Sequence, residues 1–189
     1  IMSDFKLTLQ EKAALLMIAR KTIEQWLEHN NLYHVDPLSC SENQKLNCGA
    51  FVTLHKDKQL RGCIGRFITN DPLYVTIQQM ALSAAFHDHR FLPVNNNELP
   101  HIEIEISVLT PLQRIDSIDD FILGKHGIYI RRGVNSGTFL PQVAIETGWT
   151  VDEFLGHCAR DKAGIGWDGW KLAELYVYEA LVFGEKDSM

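Results

Sequence analysis

A chain of 189 residues with 46% apolar side chains can bury a core without disulfide staples, and fits one domain or one domain with a small subdomain. A formal net charge of -6, with no block of Lys and Arg, argues against nucleic acid as a partner. The four cysteines, Cys40, Cys48, Cys63 and Cys158, form no CxxC pair and match neither a zinc ribbon nor a disulfide scaffold, so they read as reduced thiols in a cytoplasmic protein. With no signal peptide and no apolar run of about 18 residues, no membrane span is expected.

The folded region is expected over residues 9–183, with tails at 1–8 and 184–189. Thr8 followed by Glu11 is a capping box, and Ala13, Leu16, Ile23, Trp26 and Leu27 recur at helical spacing, which predicts a helix over 9–29. Asn30 to Asn47 is polar and aperiodic and reads as a loop. Gly49 to His55 and Leu60 to Phe67 are β-rich runs around Lys56-Asp57-Lys58-Gln59, which predicts a hairpin. Asp71-Pro72 reads as an N-cap and first helical residue, opening a nearly uncharged central helix that runs to about Phe86. Ile102 to Leu109 alternates apolar residues with Glu103, Glu105 and Ser107, the pattern of a strand with one apolar face.

Ser117 to Phe121 reads as a short helix, and Gly127 to Arg132 with Gly137 to Leu140 as a second hairpin. Pro141 begins a helix that Gly148 ends. Thr150 with Glu153 caps another that Gly164 closes. Trp167 and Trp170 lie in a glycine-rich turn before a last strand over Leu172 to Phe183. Hairpins with helices between them predict a mixed α/β or α+β fold with a largely antiparallel sheet and flanking helices.

The segment that carries chemistry is Leu60-Arg61-Gly62-Cys63-Ile64-Gly65. Strand alternation places Arg61 and Cys63 on one face, where a guanidinium would favour the thiolate, the nucleophilic form of cysteine. Gly62 and Gly65 suggest a bulge or a close approach of the backbone. The alternative is a Cys63 that serves as a small buried hydrophobe. For Arg61 the options are to bind a carboxylate or phosphate, to tie down a loop carbonyl, or to pair with Glu105. After the central helix, His87-Asp88-His89-Arg90-Phe91 gathers polar groups. No third and fourth ligand stands at metal-site spacing, so no metal is expected. Asp88 and Arg90 read as backbone-bonding residues that end the helix. Glu103 with Glu105, then His126 and Gln142, are weaker candidates. His157 and Cys158 are adjacent on a helix and face apart, so they form no dyad.

GAFVTL at 49–54, LRGCIG at 60–65, DxRF at 88–91, IEISVL at 104–109, HGIYI at 126–130, LPQVAIETGW at 140–149, EFL at 153–155 and KAGI at 162–165 follow one another in the order of the AMMECR family. The chain resembles that family, whose prokaryotic members are called AmmeMemoRadiSam system protein A, over roughly residues 9–183. The resemblance implies two unequal subdomains around a groove, with the cysteine of LRGCIG near it. It also implies a shared system with a Memo-like protein and a radical S-adenosylmethionine enzyme, and names no substrate or cofactor. His89 departs from the DPRF that the family usually shows. Two functions follow as expectations: a modification-system component in which Cys63 and Arg61 are catalytic, with Gly62, Gly65, Asp88, Arg90, Glu105, His126 and Gln142 binding, or a non-catalytic adaptor with Cys63 as packing.

Overall fold

In the computed structural model, which describes residues 5–188, the elements in chain order are α1 (Leu9–His29), α2 (Glu42–Lys45), β1 (Ala50–Lys56), β2 (Gln59–Arg66), α3 (Leu73–Phe86), β3 (Ile102–Leu109), β4 (Gln113–Ile115), β5 (Gly127–Arg132), β6 (Asn135–Phe139), α4 (Pro141–Thr147), α5 (Val151–His157), β7 (Glu174–Tyr178) and β8 (Ala180–Gly184). The chain divides into two compact units: a larger one of residues 5–109 with 181–188, and a smaller one of residues 110–180. Each holds a four-stranded antiparallel sheet, ordered β2-β1-β3-β8 in the larger unit and β4-β7-β5-β6 in the smaller. This is the mixed α+β class that the alternation of hairpins and helices predicted.

In the larger unit one sheet face is made by Ala50, Val52 and Leu54 of β1 and by Ile102, Ile104, Ile106 and Val108 of β3, all buried. Against it pack Leu15, Ala19 and Ile23 of α1 and Ile77, Ala81, Ala84 and Ala85 of α3. Removing each large apolar side chain from water stabilises the unit by about 1.5–3 kcal/mol before entropy is subtracted. The Thr8–Glu11 capping box of α1 is present, with Glu11 N donating to Thr8 Oγ1 at 3.1 Å and Thr8 N to Glu11 Oε2 at 2.8 Å.

Three expectations are corrected. The 30–47 stretch is structured: a 3-10 turn spans Pro37–Ser39, and Ser41 with Gln44 caps α2. Glu11 organises it, since its Oε1 also accepts from Ser41 Oγ at 2.6 Å, a long-range bond that no local pattern shows. Asp71 does not cap α3. The cap position falls on Pro72 with no side-chain bond, and the Asp71 carboxylate accepts from Arg66 Nη1 at 3.3 Å and Gln79 Nε2 at 3.2 Å instead. The last strand is two, because the chain leaves one sheet after Tyr178 and enters the other at Ala180. Three-residue β4, which pairs with β7, is too short to show periodicity.

In the smaller unit Ile128, Ile130, Phe139, Phe154, Leu155 and Val177 form the core. Thr150 and Glu153 cap α5, which runs into a π-helical turn at Cys158–Lys162, and Gly164 reverses the chain with φ +68°. Cys158 is buried, whereas His157 stacks on Trp149 at 3.9 Å between ring centroids, with Nδ1 2.9 Å from Asp161 Oδ2.

Candidate functional site

The site begins with a turn. Asp57 and Lys58 take φ of +52° and +64°, the positive values that a two-residue type I′ hairpin turn requires. From that turn Lys56 pairs with Gln59 and His55 with Leu60, but Leu54 pairs with Gly62, leaving Arg61 as the extra residue of a β-bulge. Beyond the bulge Thr53 pairs with Cys63 and Phe51 with Gly65. An unbroken register from the same turn would set Cys63 opposite Val52, on the face buried under α1 and α3. The bulge therefore turns Cys63 to the other face, where it is half-buried rather than packed in the core.

The strict alternation that put Arg61 and Cys63 together does not run through this bulge. Arg61 directs its guanidinium to the 92–98 loop: Nε donates to Glu98 Oε1 at 2.7 Å, and Nη2 donates to the Leu92 carbonyl at 2.7 Å and to Glu98 Oε2 at 3.0 Å. The loop-carbonyl option holds, and the pairing with Glu105 is corrected, since Glu105 sits on β3 with β1 between it and β2. Glu98, missed in the sequence, is only 11% exposed, and Arg61 followed by Lys56 holds its carboxyl below the ordinary value against the cost of burial. Local sequence gives no sign of an ion pair that spans 37 residues.

Cys63 is held by its backbone. Its N–H donates to Asp88 Oδ2 at 2.9 Å, and its carbonyl accepts from Arg90 Nη2 at 3.2 Å. Both groups thus point away from β1, which makes Cys63 and Thr53 a non-hydrogen-bonded pair, the kind whose side chains lie closer. Thr53 Oγ1 is accordingly 3.2 Å from Cys63 Sγ. Arg90 also donates to Asp88, Nε to Oδ1 at 2.9 Å and Nη2 to Oδ2 at 2.7 Å. Asp88 is 4% exposed, and the Arg90 guanidinium, helped by the N–H groups of Cys63 and Arg90, keeps its carboxyl far below the carboxylate range despite burial. Asp88 does bond nearby backbone as expected, accepting from Arg90 N at 3.2 Å, and in addition Asp88 and Arg90 reach the backbone of β2. The ring of Phe91 carries Arg61 at 5.7 Å and Arg90 at 5.5 Å, two cation–π contacts that join both ends of the motif.

The glycines make this approach possible. A Cβ at Gly62 would stand 2.3 Å from the Ala84 carbonyl oxygen, so its absence lets the end of α3 close on β2 and deliver Asp88 two residues later. A Cβ at Gly65 would stand 2.0 Å from the Phe51 ring, which lies across that position. Neither glycine acts through a side chain, so both shape the site.

Three strands meet at Thr53, which pairs with Cys63 on one side and with Glu105 on the other. Cys63, Thr53 and Glu105 thus form one row on the half-buried face, with His55 and Glu103 one step along. Glu103 is bound by Lys186, whereas the side chain of Glu105 has no ion pair or hydrogen bond among the described residues. Thr53 and His55 were missed because only the bulged register reveals their facing partners. The other thiols differ: burial pushes Cys48 up to about 11 and Cys158 up to about 12, and Cys40 is also raised.

His126 and Gln142 belong to the smaller unit. His126 is buried, its Nδ1 accepts from Ile122 N at 3.1 Å, and burial lowers its pKa, so it fastens the turn before β5 as a neutral imidazole. Gln142 is exposed in the first turn of α4. His87 and His89 are exposed as well. Among the described residues no three His, Cys, Asp or Glu side chains gather as metal ligands would, and no helix is long and apolar enough to cross a membrane.

The AMMECR1 family model matches residues 16–183. The chain belongs to the AMMECR1 family. Among curated relatives, Protein MK0488 of Methanopyrus kandleri is 42% identical over 193 residues, covering 96% of this chain and 92% of its own. Protein NEQ441 of Nanoarchaeum equitans is 40% identical over 180 residues, covering 90% and 98%. The crystal structure of the uncharacterized protein PH0010 from Pyrococcus horikoshii is similar with a TM-score of 0.77 at 30% identity, covering 95% of this chain and 94% of that one. For an AMMECR1-family chain these matches extend over both units, so the site described above is embedded in the family's fold.

Proposed function

We propose that this AMMECR1-family chain is a component of a modification system in which Cys63 serves as nucleophile or covalent carrier, working with a Memo-like protein and a radical S-adenosylmethionine enzyme. The observation that carries the proposal is the placement of the thiol. A bulge turns Cys63 out of the core, and an ion pair of the buried Asp88 with the exposed Arg90 grips the N–H and carbonyl of that one residue. A cysteine used only for packing needs neither device, and Cys40, Cys48 and Cys158 have neither. Arg61 supports the site from below by fixing the 92–98 loop.

The test is the rate of Cys63 alkylation on the native protein, read by peptide mass spectrometry. A rate well above that of a free thiol, retained in Cys40→Ser and Cys48→Ser variants and lost in Cys63→Ser, supports the proposal. A Cys63 that labels only after denaturation refutes it. The system partners are tested by mixing the purified proteins: protection of Cys63 from alkylation is expected on adding the Memo-like or the radical enzyme, and unchanged labelling removes them.

A further inference from the structure

The row Cys63–Thr53–Glu105 crosses three adjacent strands, and we infer that it is a proton relay in which Glu105, acting through the Thr53 hydroxyl, is the general base for the Cys63 thiol. The inference rests on the reading of Cys63 as a reactive thiol and names the groups that would make it one. Directly opposed residues on one sheet face have β-carbons about 5 Å apart, so neighbours can touch whereas Cys63 and Glu105, on either side of Thr53, need an intermediary. Thr53 is suited to that place, because a hydroxyl accepts one hydrogen bond while donating another. Its oxygen already lies 3.2 Å from Sγ.

Glu105 is the carboxylate on this face that is left open. Its neighbour Glu103 is held by Lys186, and Glu98 by Arg61 and Lys56. A half-buried carboxylate with neither ion pair nor hydrogen bond among the described residues, next to a hydroxyl that meets a thiol, has an open acceptor for the hydroxyl proton. Thr53 and Glu105 are direct register partners on this face, and the relay requires the Glu105 carboxylate to turn onto the Thr53 hydroxyl when a reactant binds, since catalytic hydrogen bonds commonly tighten only around a bound reactant. On the Phe51 side of the row the ring lies over Gly65, so the row has an apolar wall along one flank.

The step balances with an alkylating electrophile. The sulfur lone pair forms the S–C bond as the leaving group departs with its bonding electrons. The S–H proton passes to Thr53 Oγ1 while the Thr53 proton passes to Glu105, which ends protonated.

The experiment measures the second-order rate of Cys63 with iodoacetamide at neutral pH in the full chain. Thr53→Val and Glu105→Gln are each expected to slow it at least about tenfold, at the low end of general-base effects. Because the two residues act in series, the double variant should be no slower than the slower single one. Thr53→Ser, which keeps the hydroxyl, should retain the rate, and Glu103→Gln, which lies on the same face outside the row, should leave it unchanged. Single variants within twofold of the wild type, losses that multiply in the double variant, or a Thr53→Ser protein as slow as Thr53→Val would each overturn the relay. A fast wild-type thiol with unaffected variants removes the relay and keeps the site. A wild-type thiol no faster than glutathione removes both.

Discussion

Two hairpins in this molecule start alike and finish differently. Both β1–β2 and β5–β6 reverse through two residues, Asp57-Lys58 in the first and Gly133-Val134 in the second, and both leave the turn in register. In β5–β6 that register runs unbroken from Arg132↔Asn135 to Ile128↔Phe139, and Ile128 and Ile130 enter the core while Tyr129 faces away, as simple alternation demands. In β1–β2 the extra residue Arg61 shifts every later pair, and the shift exchanges the faces of Gly62, Cys63, Ile64 and Gly65 relative to β1. A structural hairpin keeps its pairing uniform. The one that carries Cys63 departs from it at the residue before Gly62, and long-range ties hold the departure in place.

The largest effect should come from those ties. Arg61→Ala leaves the largely buried Glu98 carboxylate with Lys56 alone and should cost about 3 kcal/mol in urea unfolding. In the regular hairpin Arg131→Ala, which removes an exposed partner of Glu174, should unfold with the wild type. Equal losses from both would show that the bulge is no more dependent on its ties than an ordinary strand. Gly62→Ala comes next, at about 2–3 kcal/mol, because the new Cβ meets the carbonyl of Ala84, a backbone group that moves only with α3. Its alkylation rate should change too, since a displaced α3 takes Asp88 with it.

How far these points could be read beforehand depends on their range. Helices with local punctuation, such as α1 with Thr8 and Glu11 or α4 between Pro141 and Gly148, are legible because a few neighbouring residues determine them. The motif around Cys63 is legible as a motif. Its orientation is not, because the bulge is set by contacts of Arg61 with Glu98 and of Gly62 with Ala84, residues 37 and 22 positions away. The same holds for Asp88, whose neighbours suggest a helix end and whose carboxylate, besides pairing with Arg90, binds the N–H of Cys63 25 positions away. Thr53 and Glu105 look like ordinary outward-facing strand residues until the register of three strands is known.

A smaller effect follows from acid. Asp88 and Glu98 both have folded-state values below their unfolded ones. Their contribution is therefore fully present above the unfolded values, near pH 4, and is lost as pH falls from there toward the folded ones. Asp88→Asn should lower stability at neutral pH by about 2 kcal/mol and flatten the acid limb of the stability profile. An acid limb as steep as that of the wild type would separate Asp88 from this behaviour. The smallest change is a gain. Lys58 holds positive φ without being glycine, so Lys58→Gly should raise stability by about 0.5–1 kcal/mol by relieving the turn. No gain there would mean that the β1–β2 turn is as relaxed as the one at Gly133.

The bonds from Asp88 and Arg90 have one more consequence. β2 is the outermost strand of its sheet, and the outward N–H and carbonyl of Cys63 are the groups on which a strand from another molecule would dock. Two side chains already occupy them. Arg90 is 57% exposed and donates the only bond described to that carbonyl, so its loss would bare the strand beside the thiol to other copies of the chain. The pair that positions the cysteine thus also acts as a guard against self-association in concentrated solution, and light scattering of an Arg90→Ala protein should reveal it as growth of assemblies at concentrations where the wild type stays dispersed.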